Sequence, residues 1–317
     1  MNLGDAPVKL GAYAGGLALV FAAAFAAGGV IDPIATPAPG GAHGATPEEG
    51  AAHPGAADPA GGHVPAAPAG LAVAERGYAL TPAATTVPAG DRVPFTFTIT
   101  APDGAPVRDF TVSHEKELHL IVVRRDLTGF QHVHPARDAA GTWSVPLDLS
   151  AAGTYRVFAD FTPAALGDGL TLGTDIAVAG GFTPAPLPAP AATAIVQGYE
   201  VRMEGTPQAG RESELTFTVR RDGREVTDLQ PYLGAYGHLV SLRDGDLAYL
   251  HTHPGQEAHA GEPGGPQVRF TTTFPTGGAY RLFLDFRHGG VVRTAEFTVL
   301  LGDGAAHASS RQEGEPS

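Results

Sequence analysis

LHLIVVR at residues 118–124, RDLTG at 125–129 and FQHVH at 130–134 are the stretch on which the fold reading turns. Branched and aromatic residues fill both flanks, and Asp, Thr and Gly lie between them, which is the pattern of a β-hairpin. With Asp126 and Leu127 at the turn centre, His119 faces His134, Ile121 faces His132 and Val123 faces Phe130. Side chains at i and i+2 share a face of a strand. Directly opposite Cβ atoms lie about 4.5–5.5 Å apart and diagonal ones about 7–8 Å. The expectation is that His119, His132 and His134 cluster on one face.

The arrangement returns. HLVSLR at 238–243 and LAYLHTH at 247–253 carry His238, His251 and His253 at the same relative positions, each set followed by a proline, Pro135 or Pro254. A turn centred on Gly245 and Asp246 sets His238 opposite His253 and His251 diagonal to it, and Asp244-Gly245 is a strong turn signal. One residue more or less in either loop would flip a strand's side chains to the other face. Equal loop lengths therefore point to one geometric role used twice.

The repeat reaches well beyond the histidines. Gly77-Tyr78 recurs as Gly198-Tyr199, Ala89-Gly90 as Ala209-Gly210, Gly153-Thr154-Tyr155-Arg156 as Gly278-Ala279-Tyr280-Arg281, and Asp160-Phe161 as Asp285-Phe286. Short strand-like runs such as PFTFTIT (94–100), TYRVFADF (154–161), LTFTVR (215–220) and AYRLFLDF (279–286) are divided by turn residues. Units of roughly 100 residues built this way read as Ig-like sandwiches. The expected fold is all-β: two tandem Ig-like antiparallel β-sandwiches, at 70–180 and 193–301, after an N-terminal transmembrane helix. PAPLPAPAA, from Pro184, makes 181–192 a stiff Pro-rich linker.

The flanks differ in character. LGAYAGGLALVFAAAFAAGGVI at 10–31 holds no charge, and at 1.5 Å per residue a helix of it crosses a bilayer core of about 30 Å. Lys9 precedes it and Asp32 follows, which puts the bulk of the chain outside. Segment 1–32 is thus read as a membrane anchor, with a cleaved signal peptide as the rival. Pro, Ala and Gly dominate 33–69, read as a disordered stalk carrying His43, His53 and His63, and 302–317 reads as a disordered tail. The expected location is the cell membrane, single-pass, with the bulk extracytoplasmic.

Composition narrows the chemistry. The 33 acidic against 20 basic residues give a net charge of −13, and no basic stripe is present, so a nucleic-acid partner is not expected. With 0 Cys there is no disulfide, thiolate site or Cys nucleophile. No nucleophile elbow, phosphate loop or H-E-x-x-H helix is found, so an enzyme is not expected. What remains is imidazole. Three such rings on neighbouring strands suit Zn²⁺ or Cu²⁺. The candidate metal ligands are His119, His132 and His134 in the first copy and His238, His251 and His253 in the second. Asp160 and Asp285, each late in an aromatic strand, are the candidates for a fourth ligand. Glu117 and His114 have Tyr236 and Leu233 as their counterparts and rank lower.

His119, His132-Val133-His134-Pro135, Gly153-Thr154-Tyr155-Arg156 and Ala159-Asp160-Phe161 together resemble bacterial, actinobacterial-type, membrane-anchored exported proteins with Ig-like domains, akin to the YtkA-like and CopC-like metal-associated sandwiches. The resemblance spans both repeats, though its diagnostic motif is short. It implies extracytoplasmic metal handling, with copper favoured. This chain has only 2 Met, so a thioether Cu⁺ site does not fit and His-bound Cu²⁺ or Zn²⁺ remains. The functional expectation is a metal buffer, delivery or sensing protein with one His site per domain, partnered by the membrane and a metal-transport or sensor protein. The alternative is a cell-surface interaction module with structural or pH-sensing histidines.

Overall fold

The computed structural model describes residues 68–302, apart from 256, 257 and 259–261, and leaves aside the side chains of His251 and His253. The apolar run at 10–31, the stalk histidines and the tail beyond Gly302 lie outside the described residues. Among those described, no helix is long and apolar enough to cross a membrane.

The first repeat forms two antiparallel sheets. One has the order β1 (Ala74–Glu75), β2 (Tyr78–Pro82), β4 (Gly90–Thr100), β9 (Thr142–Leu149) and β8 (Ala136–Arg137). The other runs β3 (Thr86–Val87), β11 (Leu170–Val178), β10 (Gly153–Pro163), β6 (Leu118–Arg124) and β7 (Gln131–Val133), with β5 (Phe110–Thr111) also on β10. The short β3 joins β11 in parallel, so the first strands are shared between the sheets. This connectivity is Ig-like.

The second repeat gives β12 (Thr193–Val196), β13 (Tyr199–Glu204), β14 (Glu212–Arg221), β19 (Gln267–Thr273) and β18 (His253–Pro254), with β15 (Arg224–Glu225) on β14. Against it stands a sheet of β17 (Tyr249–His251), β16 (Gly237–Arg243), β20 (Gly278–His288) and β21 (Val291–Leu301). Each repeat also ties its β10 or β20 strand to the preceding corner through a tyrosine. The Tyr155 hydroxyl donates to the Ala151 carbonyl at 2.8 Å, and that of Tyr280 to the Thr276 carbonyl at 3.0 Å. This tyrosine corner is a hallmark of Ig sandwiches.

Period-two patterning builds each core. In β13, Tyr199, Val201 and Met203 point in while their neighbours stay exposed. Phe95, Phe97, Trp143 and Val157 centre the first core, and Phe217, Phe270, Tyr280 and Phe297 the second. Strands β6 and β16 break the alternation and are buried nearly throughout. An antiparallel sheet with one face on a core normally keeps the other in water. Here the outer faces cover one another. Ile121, Val123, Leu127 and Phe158 of the first sandwich pack against Val240, Leu242, Leu247, Tyr249 and Phe283 of the second in a third apolar cluster.

The two sandwiches accordingly belong to a single compact unit. The expected stiff linker is held down as well. Leu187 packs on the shared cluster, and the Ala185 N–H donates to Asp126 at 2.9 Å.

Candidate metal centre

The hairpin register matches the sequence reading in its central part. Ile121 pairs with His132 and Val122 with Gln131, while Val240 pairs with His251 and Ser241 with Leu250. It departs at the far ends, where His119 was expected opposite His134 and His238 opposite His253. The chain leaves the sheet at these points. Ala136 and Arg137 join β9 of the opposite sheet, and His253 and Pro254 join β19. Pro135 has no N–H to extend the ladder on β6, so the H-x-H-P corner is a crossing between sheets.

Despite that crossing, the three first-copy histidines converge. His119 Nδ1 lies 3.1 Å from His132 Nε2 and 3.2 Å from His134 Nε2. Among the described residues, the ligand atoms of these three form the group that lies within 4.8 Å of one another. A zinc–nitrogen tetrahedron with bonds of about 2.0–2.1 Å has edges of about 3.3–3.4 Å. The observed separations are close to that edge.

The far ring nitrogens of two rings meet acceptors. His119 Nε2 is 3.1 Å from the Ser113 carbonyl, and His132 Nδ1 is 2.8 Å from Asp285 Oδ2. A carbonyl and a carboxylate only accept, so both of those nitrogens carry hydrogen. His119 Nδ1, with its ring's hydrogen on Nε2, is left as a lone pair facing His132 Nε2 and His134 Nε2. Outer acceptors of this kind orient imidazoles on a metal.

Two of the three rings resist protonation. Burial, followed by the charge of His132, lowers the His119 pKa to about 4. Burial, then His132 and His119, lowers that of His134 to about 2. Neutral imidazole is the ligating form.

The site lies at the junction of the sandwiches, not inside either one. β6 and β10 turn His119 and Asp160 outward, as β16 and β20 turn His238 and Asp285, and register pairs His119 with Asp160 and His238 with Asp285. The His238 ring centroid is 6.1 Å from that of His132. His238 Nε2 reaches the Tyr232 carbonyl at 2.8 Å, repeating the bond of His119 to Ser113. Burial lowers its pKa to about 4. A cavity of about 460 Å³ adjoins this group, lined by His114, His119, His132 and Asp160 from one side and by His238 and Tyr249 from the other.

Asp160 and Asp285 stand outside the convergent set. Asp285 backs His132 and accepts from Thr294 Oγ1 at 2.6 Å, and Asp160 Oδ2 accepts from the Tyr249 hydroxyl at 3.1 Å. Each carboxylate thus serves a residue of the other repeat, where the sequence reading kept it within its own. Glu117 is held by Arg137. The sequence reading undervalued His114, whose ring lies 6.0 Å from that of His119 and 5.4 Å from that of His238. It missed the carbonyls of Ser113 and Tyr232, since a backbone acceptor leaves no mark in a sequence. Their shared turn could have flagged them: Ser113 bridges Lys116 and Tyr232 bridges Ala235. Where His251 and His253 direct their rings lies outside the described residues. Met203 is buried in the second core and plays no part here.

A family profile described as a domain of unknown function (DUF8832) matches the chain twice, over residues 72–176 and 193–302. The chain belongs to that family. No curated protein matches the sequence. Among solved structures, the chain is similar to FdeC, an Escherichia coli adhesin, at 15% identity, covering 73% of this chain and 66% of that one, with a TM-score of 0.25. A Salmonella alpha-2-macroglobulin mutant gives 16% identity, 74% and 15% coverage, and a TM-score of 0.25. Invasin, a bacterial integrin-binding protein, gives 12% identity, 73% and 41% coverage, and a TM-score of 0.22. The chain therefore spans less than two thirds of the length of each. Likeness to the YtkA-like and CopC-like proteins is not among these findings.

Proposed function

We propose that the chain is an extracytoplasmic, membrane-anchored protein that binds a divalent metal, Zn²⁺ or Cu²⁺, through His119, His132 and His134. It acts as a buffer, delivery or sensing protein toward a metal-transport or sensor partner. The observation that carries the metal reading is the convergence of three ring nitrogens within 4.8 Å, His119 Nδ1 lying 3.1 and 3.2 Å from the other two, with an outer acceptor behind two of the rings. An all-imidazole set suits borderline ions and disfavours Mg²⁺ and Ca²⁺. His238, His251 and His253 are proposed to hold a second ion, since His238 and His251 lie on the same hairpin register and His238 keeps the carbonyl anchor. The role is binding, not catalysis. The anchor at 10–31 and the outside location rest on the uncharged run and its flanks.

The test is calorimetric titration of tag-free protein with Zn²⁺ and Cu²⁺ at neutral pH. Two ions per chain are expected, and one after His132→Ala and His134→Ala together. Absence of binding at micromolar metal overturns the reading. The alternative, a cell-surface interaction module with structural histidines, then stands. It accords with what the adhesin and the invasin do, but at TM-scores of 0.22–0.25 their likeness carries no function across.

A further inference from the structure

His119 and His132 are oriented from different places. The acceptor behind His119, the Ser113 carbonyl, belongs to the same sandwich. The acceptor behind His132 is Asp285, on β20 of the other one. Both partners of that contact are buried, with side chains 5% and 3% exposed. Thr294, on the neighbouring β21, holds the second carboxylate oxygen. A neutral imidazole chooses between two tautomers, and one firm acceptor at Nδ1 decides the choice. Without it, the Nε2–H form would turn a hydrogen toward His119, and that nitrogen could no longer ligate.

We propose that Asp285 of the second sandwich is a positioning residue for the metal site of the first, holding His132 as its Nδ1–H tautomer. This deepens the metal reading and rests on it for affinity alone, because the tautomer exists without metal. The tripod is then complete only while the two sandwiches are docked. Whatever binds the docked state alone also stabilises it, so metal binding and docking reinforce each other.

The experiment uses the full chain labelled with ¹⁵N. Long-range ¹H–¹⁵N correlation of the metal-free protein at neutral pH should show His132 with its proton on Nδ1. In Asp285→Ala the signal should move toward the Nε2–H form, and in Asp285→Asn, whose amide oxygen still accepts, it should stay. Zn²⁺ affinity, read by competition with a chromophoric chelator, should fall about 10–100-fold in Asp285→Ala, as for other outer partners of metal-bound histidines. Should the alanine variant not fold, Asp285→Leu keeps the branch at Cγ without an acceptor and should behave as predicted for alanine. An Nε2–H tautomer in the parent, or a variant lacking the acceptor that keeps both tautomer and affinity, overturns the proposal. A parent that binds no Zn²⁺ overturns the metal reading instead, and the tautomer result still decides the role of Asp285.

Discussion

Phe130 of the first sandwich stacks on Phe283 of the second, with ring centroids 4.0 Å apart and planes 5° from parallel. Phe283 is fully buried, although it lies on the face of β20 that points away from its own core. The junction therefore has the packing of an interior.

Removing that ring should be costly. Phe283→Ala is expected to destabilise the chain by about 3–5 kcal/mol, the usual loss for a buried Phe. Urea unfolding of the parent should show one transition for both sandwiches, and the variant should separate them. A loss below about 1 kcal/mol would mean that the two faces are not in close contact.

Leu127 and Leu247 sit at the two hairpin tips with φ of 63° and 62°, yet both are buried in the junction. The left-handed conformation costs a leucine about 1–2 kcal/mol, which glycine avoids. Deleting a buried leucine side chain costs about 2–5 kcal/mol, and glycine loses further chain entropy on folding. The second effect is the larger, so Leu247→Gly should destabilise. A stabilised variant in thermal unfolding would show that strain outweighs packing.

The tyrosine corner is a cleaner case. Tyr155→Phe keeps the ring and removes one hydrogen bond, to the Ala151 carbonyl. The expected loss is about 0.5–1.5 kcal/mol in urea unfolding. Tyr280→Phe should cost at least as much, because its hydroxyl meets both the carbonyl and Oγ1 of Thr276.

Acid should weaken the metal-free protein. His119, His134 and His238 have folded pKa values lowered to about 4, 2 and 4 from an ordinary 6.5, in each case chiefly by burial. Well above pH 6.5 neither the folded nor the unfolded chain holds a second, charging proton on these rings, and their stability contribution is complete. As pH falls through 6.5 toward 4 the unfolded chain takes up protons first, so stability declines across that window. Unfolding midpoints in urea at pH 7.5, 6 and 5 should fall in that order. A flat profile would mean that the rings are not buried.

Much of this protein is written locally. Strands, turn positions and the duplication follow from period-two patterning and turn residues, and the pairing of Ile121 with His132 and of Val240 with His251 follows from loop length. These properties depend on neighbours in the chain or across one tight turn. The crossing after each H-x-H-P corner was half visible, since a proline cannot extend the ladder, but its new partners on β9 and β19 were not.

The junction belongs to the tertiary structure. LHLIVVR offers apolar residues on both faces, which signals double burial without saying what covers the outer one. Asp285 lies 153 residues from His132, and no pattern in the chain relates two side chains on different sandwiches. Their contact follows from how the two outer faces dock, because burial of apolar area is non-directional and only shape and the remaining polar pairs choose the register. The sequence by itself determined which histidines share a face. Docking decided that this face is buried, that the second repeat supplies the acceptor behind His132, and that the first repeat's three imidazoles lie at the boundary between two domains.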